Sequence, residues 1–383
     1  MSLLDSLTSQ IKGVFGGSKA KSVLGIDIGS ASIKVVQLRG THGAAILETY
    51  GEIALGPYAG AAVGKTTRLD VPKTVQALQD LMRESSATAT HVAVSIPFSS
   101  SLISVIELPH VDEDKLRHMI PIEARKYIPV PVNEVALDWF VIPEDTTPDA
   151  FDTLNEKKES APKVRGIEVL LVAIHNETLQ RYQAIMETAG LHTAFYEIEV
   201  FSAIRSSLPQ TAAPVCIIDI GASTTKIYVV ERGVVRTSHL LNDGSQHLTE
   251  TLSRSLNWSF EKAERLKRET GFANTDTYST EENERIHTAL ETTLDNVFAE
   301  ANRVMLSFGK RYNKNVVQAV FLGGGAALPG FIDHASKKMS IESGAARPFN
   351  RTETPAFLES VLKEIGPGFS IAVGLALRAL QHD

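Results

Sequence analysis

Two stretches of this chain carry one pattern. The first is Asp27-Ile28-Gly29-Ser30-Ala31-Ser32-Ile33-Lys34, and the second is Asp219-Ile220-Gly221-Ala222-Ser223-Thr224-Thr225-Lys226. In both, an apolar run ends in Asp, Ile and Gly follow, small and hydroxyl residues come next, and a Lys stands seven positions after the Asp. Each continues through apolar residues (Val35 and Val36; Ile227, Tyr228, Val229 and Val230) to a glycine, Gly40 or Gly233. Apolar runs on either side of a Gly/Ser turn predict a strand, a tight turn and a returning strand. One Asp-x-Gly turn would be an ordinary hairpin. Two matching copies, half a chain apart, predict a duplicated domain in which one loop from each half faces a shared ligand.

The chemistry such turns suit is phosphate binding. Glycine lets backbone approach an anion closely, and successive N–H groups with Ser or Thr hydroxyls cradle phosphate oxygens. Asp27 and Asp219 stand where they can hold waters of a Mg²⁺ ion, which keeps several waters and takes one or two carboxylates. The alternative for each is an Asp that only stabilises its turn. A third glycine site, Gly323-Gly324-Gly325, follows the apolar run Val320-Phe321-Leu322. Without side chains it would admit a flat base and a ribose, and a helix N-terminus behind it would favour an anion. Alone it would read as a linker; beside the two loops it predicts a nucleotide.

At 383 residues the chain exceeds one ordinary domain, so two lobes are expected. Apolar residues at 43% and charged residues at 22% are those of a globular protein able to bury a sizeable core. A formal net charge of -7 argues against nucleic acid, which favours a basic surface. Cys216 is the only cysteine and lies in an apolar run, so it is predicted to be a buried hydrophobe. No disulfide can form within the chain, which fits a reducing cytoplasm. No apolar run is read as long enough to span a bilayer, and the N-terminus lacks a signal-peptide core. A cytoplasmic location is expected. Leu3, Leu4, Leu7, Ile11, Val14 and Phe15 recur at helical spacing, predicting a short amphipathic helix within residues 1–21. That helix could lie on a membrane, dock to a partner or pack on its own domain.

A first lobe is expected over residues 22–98 and 176–211, an inserted subdomain over 99–175, and a second lobe over 212–383 whose C-terminal helix returns to the first. Strands are predicted at 92–96, 102–108, 135–142, 167–174, 195–200 and 316–322. Helices are predicted at 74–83, 178–189, 201–208, 246–256, 260–268, 286–312 and 371–380. Asp112-Glu113-Asp114 opens a further helix with its acids at the favourable end, and Pro121 should kink it. The polar stretches 143–165 and 273–284 read as loops, and 209–214 as the junction between lobes.

These motifs resemble the actin/Hsp70-type ATPase superfamily over residues 22–380. The resemblance implies an α/β, two-lobed actin-like (ribonuclease H-like) fold that binds ATP and Mg²⁺. It implies that Gly29, Ser30, Ser32 and Lys34 form one phosphate loop and Gly221, Ser223, Thr224 and Lys226 the other. The hydroxyls could be only turn stabilisers, and each lysine could be a surface residue. Gly323, Gly324 and Gly325 match the adenosine motif. Glu264 and Lys267, in Ala263-Glu264-Arg265-Leu266-Lys267, match a helix that meets ribose and base; otherwise they are a surface pair one turn apart. Segments 197–203 and 372–376 match the two connecting segments between lobes. Glu199 lies where superfamily ATPases carry a carboxylate that positions the attacking water, and is otherwise a structural acid. With one candidate base and no arginine finger, slow turnover or none is expected, ATP acting as a clamp.

Within the superfamily the chain is similar to the PilM family of type IV pilus assembly, relatives of the division protein FtsA. Ala124-Arg125-Lys126-Tyr127-Ile128-Pro129-Val130-Pro131, followed by Val135-Ala136-Leu137-Asp138, carries that similarity. It implies an FtsA-like inserted subdomain and a PilN-like membrane partner. The partner's short N-terminal tail, with an Asn-Leu-Leu-Pro-like motif, would lie between the first lobe and the insert. Contacts with other platform components, peripheral association with the inner membrane through partners, and self-association belong to the same expectation. The rival reading is an FtsA- or MreB-like polymer for division or shape. FtsA relatives carry a membrane helix after a linker, whereas this chain reaches Asp383 directly after its predicted core helix. A sugar or acetate kinase would need a phosphoryl-acceptor base that the sequence does not offer.

Overall fold

The computed structural model describes residues 21–41, 43–143, 166–209, 212–273 and 278–381. The helix expected within 1–21 (Lys21 excepted) and the loop expected after residue 143 lie outside the described residues, as do parts of the stretches at 209–214 and 273–284.

The first motif forms the hairpin β1 (Ser22–Ile28) and β2 (Ser32–Thr41), with Asp27 paired opposite Lys34. β3 (Ala44–Ala54) extends the hairpin on the far side of β2. α1 (Val71–Glu84) then begins on Asp70, whose carboxylate accepts from the Lys73 N–H at 2.9 Å. It buries Val75, Leu78 and Leu81. β4 (His91–Ile96) runs parallel to β1 and is apolar nearly throughout, as a strand buried on both faces must be.

The chain next builds a smaller three-stranded antiparallel sheet. β5 (Ser101–Leu108) leads to α2 (Glu113–Ala124), which carries Pro121, and then to β6 (Val135–Val141) and β7 (Ile167–His175). β7 lies between the other two strands. Its alternating side chains serve two cores. Val169, Leu171 and Ala173 pack with Leu116 and Ile120 of α2, while Leu170, Val172 and Ile174 join the main core.

α3 (Asn176–Thr188) returns to the first sheet, which β8 (His192–Ile198) completes in the order β3-β2-β1-β4-β8. α4 (Glu199–Ser207) follows without a break. The strand expected to reach residue 200 therefore ends at Ile198, and Glu199 opens a helix instead.

The second motif repeats the first. β9 (Val215–Ile220) and β10 (Thr225–Glu231) pair with Asp219 opposite Lys226, and β11 (Val234–Leu241) extends them. α5 (Ser245–Leu256), α6 (Phe260–Glu269) and α7 (Thr280–Tyr312) follow. α7 starts at Thr280 rather than at Ile286, inside a stretch expected to be loop. Ser279 and Glu282 form a reciprocal capping box there. β12 (Gln318–Leu322), α8 (Phe331–Lys338) and β13 (Glu342–Ala345) complete a sheet ordered β11-β10-β9-β12-β13. Strand for strand, the two five-stranded sheets have the same plan: an antiparallel hairpin with its extension, then two parallel strands. This is the expected duplicated, two-lobed α/β architecture.

The last helix, α9 (Glu359–Ala379), begins at Glu359 rather than at Ile371 and contains Pro367. Against the expectation that no segment is long enough, Ala356–Ala379 is long and apolar enough by composition to cross a membrane. In this structure 61% of its apolar window is buried in the protein. It lies on β1 and crosses α4 at van der Waals limits. A Cβ on Gly25 would stand 2.1 Å from the Ala372 carbonyl oxygen, and one on Gly374 2.0 Å from that of Ser202. The crossing is pinned by a buried charge cluster. Glu197 receives two hydrogen bonds of 2.8 Å from Arg205, one of 2.6 Å from Arg378 on α9, and one from Ser202.

Candidate functional site

A cavity of about 500 Å³ opens between the two hairpin turns and brings the expected residues together. The turns have one geometry. Gly29 N–H donates to Ser32 O and Gly221 N–H to Thr224 O, each at 3.0 Å. A Cβ on either glycine would be only 3.0 Å from that same oxygen, so the closeness of the turn itself selects glycine. Ser30 and Ser32 line one side of the cavity, Ser223 and Thr224 the other.

Asp27 and Asp219, at the ends of β1 and β9, are both buried. Asp27 Oδ1 accepts from Ser95 Oγ at 2.7 Å, and burial pushes its carboxyl above the usual range despite the charge of Lys34. The two lysines are cavity residues, not surface ones. Lys34 Nζ reaches Ser32 Oγ at 2.9 Å and Glu52 Oε1 at 3.0 Å. Lys226 Nζ sits 3.0 Å from Asp219 Oδ2 and 3.3 Å from Glu199 Oε2. Burial works against its charge, but the neighbouring carboxylates outweigh that and hold it protonated.

Glu199 reaches the cavity because α4 begins there. Its Oε1 accepts from the Phe98 N–H at 2.7 Å, and burial, more than the nearby carboxylates, raises its pKa. Both of its oxygens are thus engaged, one by backbone and one by Lys226.

The third glycine site divides. Gly323 has φ of +84°, and a Cβ there would stand 2.5 Å from Asp219 Oδ1, so only glycine fits beside the carboxylate. Gly324 faces open space with nothing within 4 Å. Gly325 does not line the cavity: it packs on Ile220, where a Cβ would meet Cγ2 at 2.3 Å. The 3₁₀ turn over Gly324–Ala327 carries Gly325, expected with its two neighbours to meet the ligand, against Ile220 of β9.

Glu264 and Lys267 are a buried pair on the cavity wall, not a surface pair. Lys267 Nζ lies 2.7 Å from Glu264 Oε2 and 2.9 Å from the Ser245 carbonyl. Glu264 also accepts from Thr249 Oγ1 at 2.5 Å and Arg268 Nε at 2.6 Å. Burial opposes the Glu264 charge, yet Lys267, Thr249 and Arg268 together keep its pKa low. For Lys267, burial outweighs Glu264 and lowers the pKa.

Sequence reasoning missed Glu52, Ser95, Thr67, Arg181 and Arg268 around this site. Glu52 had a signal only in strand register, since β3 places it directly opposite Lys34. The donor set fits a magnesium nucleotide. Two buried carboxylates sit at the ends of equivalent strands in the two sheets, tight glycine turns with hydroxyl side chains line the cavity beside them, and two lysines stand at the turns.

The family described as type IV pilus assembly protein PilM matches residues 25–380. The cell division protein FtsA of Neisseria meningitidis serogroup B is 24% identical over 342 residues, which cover 80% of each chain. FtsA of Bacillus subtilis is 22% identical over 271 residues, 67% of this chain, and the aligned region spans only 60% of that relative. Among solved structures, the PilM-PilN type IV pilus biogenesis complex superposes with a TM-score of 0.74 at 22% identity, over 94% of this chain and 98% of that one. The fold is thus that of the actin-like ATPases. Its duplicated sheets and paired turns agree with a match that runs almost end to end, and the chain belongs to the PilM family of type IV pilus assembly proteins.

Proposed function

We propose that this chain is an ATP-loaded adaptor of the type IV pilus inner-membrane platform that grips the N-terminal tail of a PilN-like membrane protein. The observation that carries the nucleotide half is the convergence of two glycine turns with the same hydrogen bond, from different lobes, on one cavity lined by Asp27 and Asp219. The family match, and the solved relative in complex with PilN, support the partner half.

In this reading Asp27 and Asp219 hold Mg²⁺ through its waters. Gly29 and Gly221 keep the two turns tight enough for phosphate to approach, Ser30, Ser32, Ser223 and Thr224 offer donors to its oxygens, and Lys34 and Lys226 are counter-charges. Glu264 and Lys267 meet the ribose and base, with Gly323 and Gly324 keeping the approach clear. The bound metal supplies charge neutralisation for the phosphates. Glu199 is the candidate for orienting water, but its carboxylate is already shared between Phe98 and Lys226. Turnover is therefore slow or absent, and the nucleotide serves to hold the lobes together.

The domain division we favour places residues 22–98 and 176–211 in the first lobe, 99–175 in an FtsA-like insert, and 212–383 in the second lobe with its last helix lying on the first. In this reading the partner's tail lies between the first lobe and the insert. The protein then acts in the cytoplasm, peripheral to the inner membrane. Calorimetric titration with a PilN-like N-terminal peptide, with and without Mg-ATP, tests this. Saturable binding lost on scrambling the Leu-Leu-Pro part is the expected result. No binding in either condition, with Mg-ATP binding intact, would sink the adaptor reading in favour of an FtsA-like self-assembling scaffold.

A further inference from the structure

Between β3 and α1 the chain crosses the mouth of the cavity. The strap of residues 61–69 is anchored at its root in the first lobe, where Leu55 N–H donates to Ala31 O at 2.9 Å and Thr67 N–H to Ser30 O at 2.8 Å. Both acceptors belong to the first turn. From there the strap reaches the second lobe at three points. Gly64, at φ +88°, lies so close to Glu264 that a Cβ would stand 2.5 Å from its carboxyl carbon. Lys65 Nζ stands 4.7 Å over the ring of Phe260 on α6. Thr66 N–H donates to Gln246 Oε1 on α5 at 2.7 Å.

Gln246 is placed for this contact by two further bonds. Its own N–H donates to Ala222 O of the second turn at 2.9 Å. Its side-chain Nε2 donates to Glu250 Oε1 at 2.8 Å, one helical turn on, which fixes the amide so that the oxygen faces Thr66. A hydrogen-bonded path therefore runs from Ser30 through Thr67 and Thr66 to Gln246 and Ala222. It ties the two turns to each other across the cavity mouth, through a side chain that does not itself line the cavity.

We propose that Gln246 and the strap form a clasp that gates nucleotide release, with Gln246 a positioning residue that touches neither phosphate nor base. This rests on the ATP reading of the cavity. Release requires the lobes to part, and the Thr66–Gln246 bond is broken in parting. Gln246→Met keeps the side chain's length and removes both its acceptor for Thr66 and its donor to Glu250, of which only the first spans the lobes.

The test is stopped-flow release of a fluorescent N-methylanthraniloyl-ATP, preloaded with Mg²⁺ on the full chain and chased with ATP. Loss of one neutral hydrogen bond in the closed state should speed release about fivefold. The nucleotide-free melting temperature should fall by only a few °C, about what loss of such bonds costs, whereas a merely structural role would lower it and leave the release rate unchanged. Gly64→Ala, which must push the strap off Glu264, should speed release as well. Analogue binding with an unchanged release rate in Gln246→Met would overturn the clasp alone. No analogue binding by the unsubstituted chain would overturn the ATP reading and the gate together.

Discussion

Lys226 Nζ lies 3.3 Å from Glu199 Oε2, so a strand of the second lobe and the first helical turn after β8 share one buried ion pair. The same ammonium serves Asp219 at 3.0 Å. Removing it strands two carboxylates in a buried site, and breaking a buried pair from one side costs about 3–5 kcal/mol. Lys226→Met is therefore expected to lower unfolding stability by that order in urea titrations. The loss should depend on pH. Burial already raises the folded-state pKa of Glu199, and losing the cation raises it further. A folded state that holds its proton more tightly than the unfolded chain loses stability as pH rises from the unfolded value through the folded one. The gap between variant and parent should be wider at pH 8 than at pH 5, and a gap of constant size would refute this account.

Glu197 gives the opposite sign. Burial alone would raise its pKa, but Arg205, Arg378 and Ser202 together hold it below the ordinary carboxylate value of 4.5. Its contribution is full above that unfolded value and is lost as pH falls through the lower, folded one. Thermal melts of Glu197→Gln and the parent should thus differ strongly at pH 7 and converge only as pH falls through the lowered folded-state value. Because the cluster joins β8, α4 and α9, the neutral pH loss should be among the largest of any single substitution in the chain.

Two glycines separate fold from site. A methyl on Gly374 would collide with the Ser202 backbone at 2.0 Å, where α9 crosses α4 and neither helix can shift alone. Gly374→Ala should cost several kcal/mol or prevent folding. Gly324→Ala meets nothing within 4 Å and lies in the cavity wall. It should leave the nucleotide-free melting temperature within the small range of surface substitutions while shrinking the stabilisation given by Mg-ATP. A normal ATP-induced shift in Gly324→Ala would remove Gly324 from the ligand's path.

The parts of this molecule readable in advance were the local and the repeated ones. The Asp-Ile-Gly turns fix their own geometry, since Gly29 and Gly221 are held by oxygens three residues away. A duplicated motif then implies a duplicated sheet. What was not readable depends on crossings between distant segments. The helix expected only over 371–380 begins at Glu359 and runs through Gly366-Pro367-Gly368, where Pro367 O accepts from the distant Gly323 N–H at 2.9 Å. Gly325 sits one residue from a cavity-facing glycine and has the same composition, but it turns against Ile220. The capping box Ser279–Glu282 was a signal in plain view, outweighed by the polarity of the residues around it. Nothing local marks Gln246, whose significance comes from a strap 180 residues earlier.

Asp219 offers the sharpest test of the metal. Its carboxylate touches Lys226 on one side and leaves Oδ1 close beside Gly323, so an amide of the same shape can keep the lysine contact while losing the negative charge that a magnesium hydration shell requires. Bound ligand stabilises in proportion to its occupancy of the folded state, about 2.7 kcal/mol at a hundredfold excess over its dissociation constant. For the unsubstituted chain, the melting shift caused by ATP should fall when magnesium is removed with EDTA. For Asp219→Asn the shift should be small and the same in both conditions. A shift in Asp219→Asn that still required magnesium would place the ion elsewhere, with Asp27 as the remaining buried carboxylate of the paired turns.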